Sequence, residues 1–190
     1  MRGRIRWNVS AAAVLLFALF WFFDDAGLVS ALAPAVLAHE LGHVVALRAC
    51  RARLRRVNIS VFGIEMDYAG RLTRAGALIS VAAGPLAGAL YAVATCSTRS
   101  EFWRLSGAVS FCLTAFNLLP VLPLDGGRLV AELTDERFAA RLSRVSAVIL
   151  LAGGAAIFSG YRFPGLLMTG IWLCAYHYRG SFLSAPIFHA

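Results

Sequence analysis

The sequence predicts an all-α polytopic membrane protein: a six-transmembrane helix bundle with a small β-hairpin on its cytoplasmic side. Three observations carry that expectation. Hydrophobic residues make up 59% of the 190 and charged residues only 15%, whereas a soluble domain carries about a quarter charged. The apolar residues gather into six runs, at 9–23, 28–49, 75–95, 102–122, 145–159 and 164–176. The arginines collect in the connections on one side of those runs. Hydrocarbon offers the backbone no hydrogen-bond partner, so such runs cross it as helices. No soluble unit of ordinary size fits beside them, and residues 1–190 are expected to form a single domain.

The first run follows Arg2, Arg4 and Arg6 and precedes Asp24 and Asp25. Its beginning also resembles a secretory signal, with Ala31-Leu32-Ala33 as a small-residue cleavage site. Cleavage there would remove the start of the second run, so a retained span is expected. After the second run, LRRVNISVFGIEMDYAG is rich in β-branched and aromatic residues with Gly63 near its middle, and reads as a hairpin. The third run holds Gly84 and Gly88, a small-residue step that lets a neighbouring helix approach, for which ordinary packing is a sufficient reason. The fourth ends in NLLPVLPLDGGR. The first, fifth and sixth are short against the about 20 residues of a span. Fifteen of the eighteen arginines fall on one side and three on the other, which places both termini in the cytoplasm.

A net charge of +8 raises the question of nucleic acid. The basic residues flank apolar runs, however, and form no stripe interleaved with aromatics, so no nucleic-acid partner is expected. Cys50, Cys96, Cys112 and Cys174 are scattered without a C-x-x-C pair and read as small buried apolar residues.

The second run contains HELGH. His39 and His43 are four apart, so on a helix they share one face and can reach one metal ion, while Glu40 beside them is placed to take a proton from water. Ionisable residues inside a span cost about 2.5 to 3.5 kcal/mol each, and a divalent cation offsets that cost. A catalytic zinc site has three protein ligands. Asp125, which reaches the cytoplasmic face at the end of the fourth run as His43 does at the end of the second, is the candidate third. Pro120 and Pro123 break the helix before it, and Gly126 and Gly127 permit a sharp change of direction. Two other readings stay open: Asp125 as the N-cap of a helix starting near Arg128, and Glu132 as the third ligand in its place. His177 and His189, near the C-terminal end, are not preferred; His177 reads as an interfacial partner of Tyr176 or Tyr178.

HELGH, AAGPLAG and NLLPVLPLDGGR, in this order and spacing, resemble the site-2 protease family of intramembrane zinc metalloproteases, most nearly its stage IV sporulation protein FB type. The resemblance implies one Zn2+ on His39, His43 and Asp125, general-base work by Glu40, and active-site support from Asn117. It also implies a bacterial cell membrane, with the active site toward the cytoplasm. The implied substrate is a sporulation sigma-factor precursor, or else a membrane-held transcription regulator; a membrane inhibitor or adaptor is an implied partner. Gly88 stands where family members often carry asparagine, and Ile64 where many have a second glycine after Phe62-Gly63. With the sequence ending at Ala190, soon after the sixth run, no CBS or PDZ domain is expected. Drawing a substrate segment into extended form would suit the hairpin edge at 57–68, which reads equally as a structural cover. Pro34 loosens the helix before His39. The alternative function is a membrane metal transporter using the same residues as a transit site, and a further one a membrane scaffold that needs no Glu40.

Overall fold

A computed structural model describes residues 5–24, 26–60, 63–70, 72–162 and 164–180. The chain divides into two compact units, the division falling after Phe116.

The first unit opens with a strand, β1 (Arg6–Val9), and a helix, α1 (Ala11–Phe22). Ser10 turns one into the other: its hydroxyl accepts from Ala13 N at 3.1 Å, satisfying an orphan donor of the first turn. No residue of α1 is buried, and Leu15, Phe20, Trp21 and Phe22 stand outward, an apolar surface suited to lipid and costly in water. The next helix, α2 (Leu28–Ala49), starts where Asp24 accepts from Leu28 N and Val29 N, both at 2.8 Å. Pro34 lies inside this helix, which runs unbroken past it. Two strands follow, β2 (Arg53–Ser60) and β3 (Gly63–Ala69), then α3 (Arg74–Cys96) and α4 (Glu101–Asn117).

The expected hairpin forms: β2 pairs antiparallel with β3, with Val57 opposite Met66 and a register shift between Leu54 and Arg56. It is not alone. β1 pairs parallel with β2, Trp7 opposite Val57, giving a three-stranded sheet of order β1-β2-β3. The sequence reading missed β1 because its four residues looked like the charged flank of the first apolar run. Phe62 lies outside the described residues.

Buried hydroxyls tie α2, α3 and α4 together. Ser106, fully buried on α4, donates to the Ala31 carbonyl of α2 at 2.7 Å and meets the Tyr91 hydroxyl of α3 at 2.8 Å. One turn on, Ser110 donates to the Gly88 carbonyl at 2.9 Å. Small polar residues at helix contacts are how helices in lipid associate.

The second unit holds α5 (Asp125–Leu133), α6 (Glu136–Tyr161) and α7 (Gly165–Gly180). The α6 and α7 backbones press together where Gly154 faces Leu167 and Gly170 faces Leu151; a Cβ on either glycine would stand within 2.6 Å of main-chain atoms. Asp135 caps α6 by accepting from Phe138 N at 2.8 Å.

Among the described residues three helices, α2, α3 and α6, are long and apolar enough to cross a membrane, and α1 is a shorter apolar one. The fourth run stops being helical at Asn117 rather than 122, because Pro120 and Pro123 cannot extend it. The fifth begins at Glu136, well before its apolar part, because Asp135 supplies a cap. The four cysteines correct another expectation: none is buried, Cys96 and Cys112 being exposed and Cys50 and Cys174 half-buried. In an apolar solvent a thiol gains little from facing inward, so the burial rule of soluble proteins does not transfer.

Candidate metal centre

On α2 the four-residue spacing stacks His39 and His43 as expected. Their Nε2 atoms are 3.2 Å apart, and the rings meet edge to face with centroids at 5.0 Å. Two nitrogens bound at zinc's usual distance and tetrahedral angle would stand about 3.4 Å apart, so the pair fits that metal. His39 is 4% exposed and His43 half-buried. The far nitrogen of His43 settles its tautomer. Nδ1 lies 2.8 Å from the main-chain carbonyl of Ser80 on α3; a carbonyl only accepts, so Nδ1 carries the proton and the Nε2 lone pair points toward His39.

Glycines bring α3 close enough to do this. A Cβ on Gly42, inside HELGH, would overlap the Ala83 carbonyl and come 2.7 Å from the Ala87 Cβ. A Cβ on Gly84 would overlap Nε2 of His43, and one on Gly88 would come 3.6 Å from Nδ1 of His39 and 2.5 Å from the Thr114 hydroxyl. Two glycines four apart on α3 thus face two histidines four apart on α2. The sequence showed the glycine step, and the reading of it as plain helix packing missed that it admits imidazoles; the matching spacing was the available signal. Ser80 was missed as well, because its contribution is a backbone carbonyl that any residue type supplies. Glu40 leaves the helix about 100° around from His39 and is half-buried.

In the second unit, Asp125 is the first residue of α5, with Leu124 as N-cap. It is therefore not the cap of a helix starting near Arg128. The carboxylate sits in the first turn, where the helix dipole favours negative charge, and Asp125 is 5% exposed. Gly126 and Gly127 let this turn fold onto the preceding loop: a Cβ on Gly126 would overlap the carbonyls of Leu118 and Leu119, and one on Gly127 would come 2.5 Å from Leu122 N.

Among the described residues, His39, His43 and Asp125 are the group of side chains able to hold a metal ion. Glu132 is not in it. Seven residues along α5 from Asp125, it lies about 10 Å further up the same helix. Asn117 ends α4 and is half-buried. His177 makes the expected ring contact with Tyr176, centroids 5.9 Å apart, but also bonds to Ser143. His189 lies outside the described residues.

Residues 71–160 match Peptidase family M50. Over 179 residues the chain is 35% identical to Rip3 of Mycobacterium tuberculosis, in strains Erdman and H37Rv alike, a protein provisionally named as a zinc metalloprotease. That alignment covers 82% of this chain and 44% of Rip3, so the chain spans less than half the length of the curated relatives it matches. Among solved structures, the site-2 protease from Methanocaldococcus jannaschii superposes with a TM-score of 0.66 at 20% identity, covering 97% of this chain and 94% of that one. At this identity the likeness bears on the fold.

Proposed function

We propose that this chain, of which residues 71–160 match peptidase family M50 and which is 35% identical over 179 residues to a relative named as a zinc metalloprotease, is an intramembrane zinc metalloprotease of the site-2 type acting on a membrane-associated protein. The observation that carries the proposal is the pair of Nε2 atoms 3.2 Å apart, one of them aimed by the Ser80 carbonyl. In this reading His39, His43 and Asp125 hold one zinc ion. When bound, zinc supplies a Lewis acid that polarises the scissile carbonyl and acidifies water at that position. Glu40 accepts the proton as water attacks and returns it to the departing amine. Asn117 supports the substrate beside the site. The hydrogen bond to Ser80 keeps His43 from turning, and burial of His39 and Asp125 keeps competing water from their donor atoms.

Six spans, with α1, α4 and α7 joining the three longer helices, put both termini, the sheet and the site toward the cytoplasm, in line with the arginine distribution. The two units act as one proteolytic domain. A bacterial transcription regulator suits a site at this depth: a sigma-factor precursor first, a membrane-held regulator next, with a membrane inhibitor or adaptor as a further partner. The test is co-expression with such precursors. The intact protein shortens its substrate and Glu40→Gln does not, while both retain zinc. Cleavage by Glu40→Gln sinks the assigned role of Glu40. Zinc uptake into vesicles by the intact protein, without any cleavage, favours the transporter.

A further inference from the structure

We propose that Ser143 and His177 form a clamp on the loop that carries Asp125, and are positioning residues for the metal site; the inference rests on the zinc-protease reading. The loop between α4 and α5 cannot hold itself as a helix, since it contains Pro120 and Pro123. Its own bonds are short turns, Val121 N to the Leu119 carbonyl at 2.7 Å and Leu124 N to the Val121 carbonyl at 2.8 Å. Leu122 N–H instead leaves the loop and donates to Ser143 Oγ of α6 at 2.7 Å. Ser143 is 1% exposed, and its hydroxyl is engaged from the other side by His177 Nε2 of α7 at 2.8 Å. A serine inside a helix commonly turns its hydroxyl to a carbonyl of its own helix. Here it faces the loop and an imidazole from another helix.

The chain of contacts has a direction. α6 and α7 are locked together at Gly154 and Gly170, where the backbones leave no room for a methyl group. His177 and Ser143 extend that rigid pair to Leu122, three residues before Asp125. Gly126 and Gly127 in turn seat the first turn of α5 against Leu118, Leu119, Val121 and Leu122. A displacement at Leu122 therefore moves the carboxylate, although neither Ser143 nor His177 is among the side chains that would hold the metal. The hydroxyl serves both neighbours at once, accepting from Leu122 N–H while donating to the imidazole or accepting a second bond from it.

The experiment uses the full chain in lipid nanodiscs, loaded with zinc and challenged with a chelator, with segment-resolved amide exchange and thermal unfolding followed in parallel. Ser143→Ala and His177→Phe are expected to weaken zinc retention by about 10- to 100-fold, as for other groups that orient a metal ligand. Both should speed exchange at residues 118–124 while α6 and α7 stay protected. Ser143→Thr and His177→Gln, which keep a hydroxyl and a hydrogen-bonding group, should recover most of the retention. Unaltered zinc retention in His177→Phe overturns the clamp, whether or not Ser143→Ala folds. Failure of the wild-type protein to take up zinc removes the reading beneath it, a result distinct from a wild type that binds and variants that bind equally well.

Discussion

Nδ1 of His43 donates to the main-chain carbonyl of Ser80 at 2.8 Å, so one of the two rings proposed to hold zinc is aimed by backbone rather than by a side chain. The consequence is an asymmetry at residue 80. Its carbonyl matters, whereas its hydroxyl is buried with no hydrogen-bond partner among the described protein groups. Ser80→Ala is therefore expected to keep wild-type zinc content and to leave stability unchanged or raise it by about 1 kcal/mol, since an unsatisfied buried hydroxyl is removed. Zinc analysis of the purified variant with its unfolding temperature checks this. A loss of zinc would mean that the hydroxyl has a role beyond the carbonyl.

Gly84 and Gly153 give a contrast between two glycines in helices of the same chain. A Cβ at Gly84 would overlap Nε2 of His43. Gly84→Ala should displace the ring, reduce zinc affinity by at least tenfold and destabilise by about 1–3 kcal/mol through overpacking. At Gly153 an added Cβ meets nothing within 4 Å. Gly153→Ala should leave zinc binding alone and stabilise α6 by about 0.5–1 kcal/mol. Chelator competition and thermal unfolding of both variants side by side read the difference, and equal behaviour of the two would contradict the packing at His43.

How far the site was legible follows from these same residues. The histidine pair could be read because helix geometry turns a spacing of four into a shared face, whatever surrounds it. Asp125 could be sought because prolines and glycines around it announce a chain that turns. The notch at Gly84 could be seen but not interpreted, since the side chain filling it comes from another helix. Ser143 and His177, 34 residues apart, carried no local signal at all. The strand β1 hid for a different reason: four residues are too few to show alternation, and its partner strand begins at Arg53, far along the chain.

Asp125 and Glu132 share α5, and comparing them tests the ligand set directly. Asp125 is buried at the first turn, whereas Glu132, two turns on, is half-buried and outside the metal group. Asp125→Ala should lose zinc, and with it the stabilisation that a bound ion gives to the folded state, about 2.7 kcal/mol when zinc is present at a hundredfold its dissociation constant. Glu132→Ala should retain both. The measurement is the rise in unfolding temperature on adding zinc to each metal-stripped variant. A rise preserved in Asp125→Ala and abolished in Glu132→Ala would transfer the third ligand to Glu132 and require α5 to present its second half to the histidines. The side-chain burial argues against that: of the two carboxylates, Asp125 is the one withdrawn from solvent, and a bound cation would offset the desolvation of its charge.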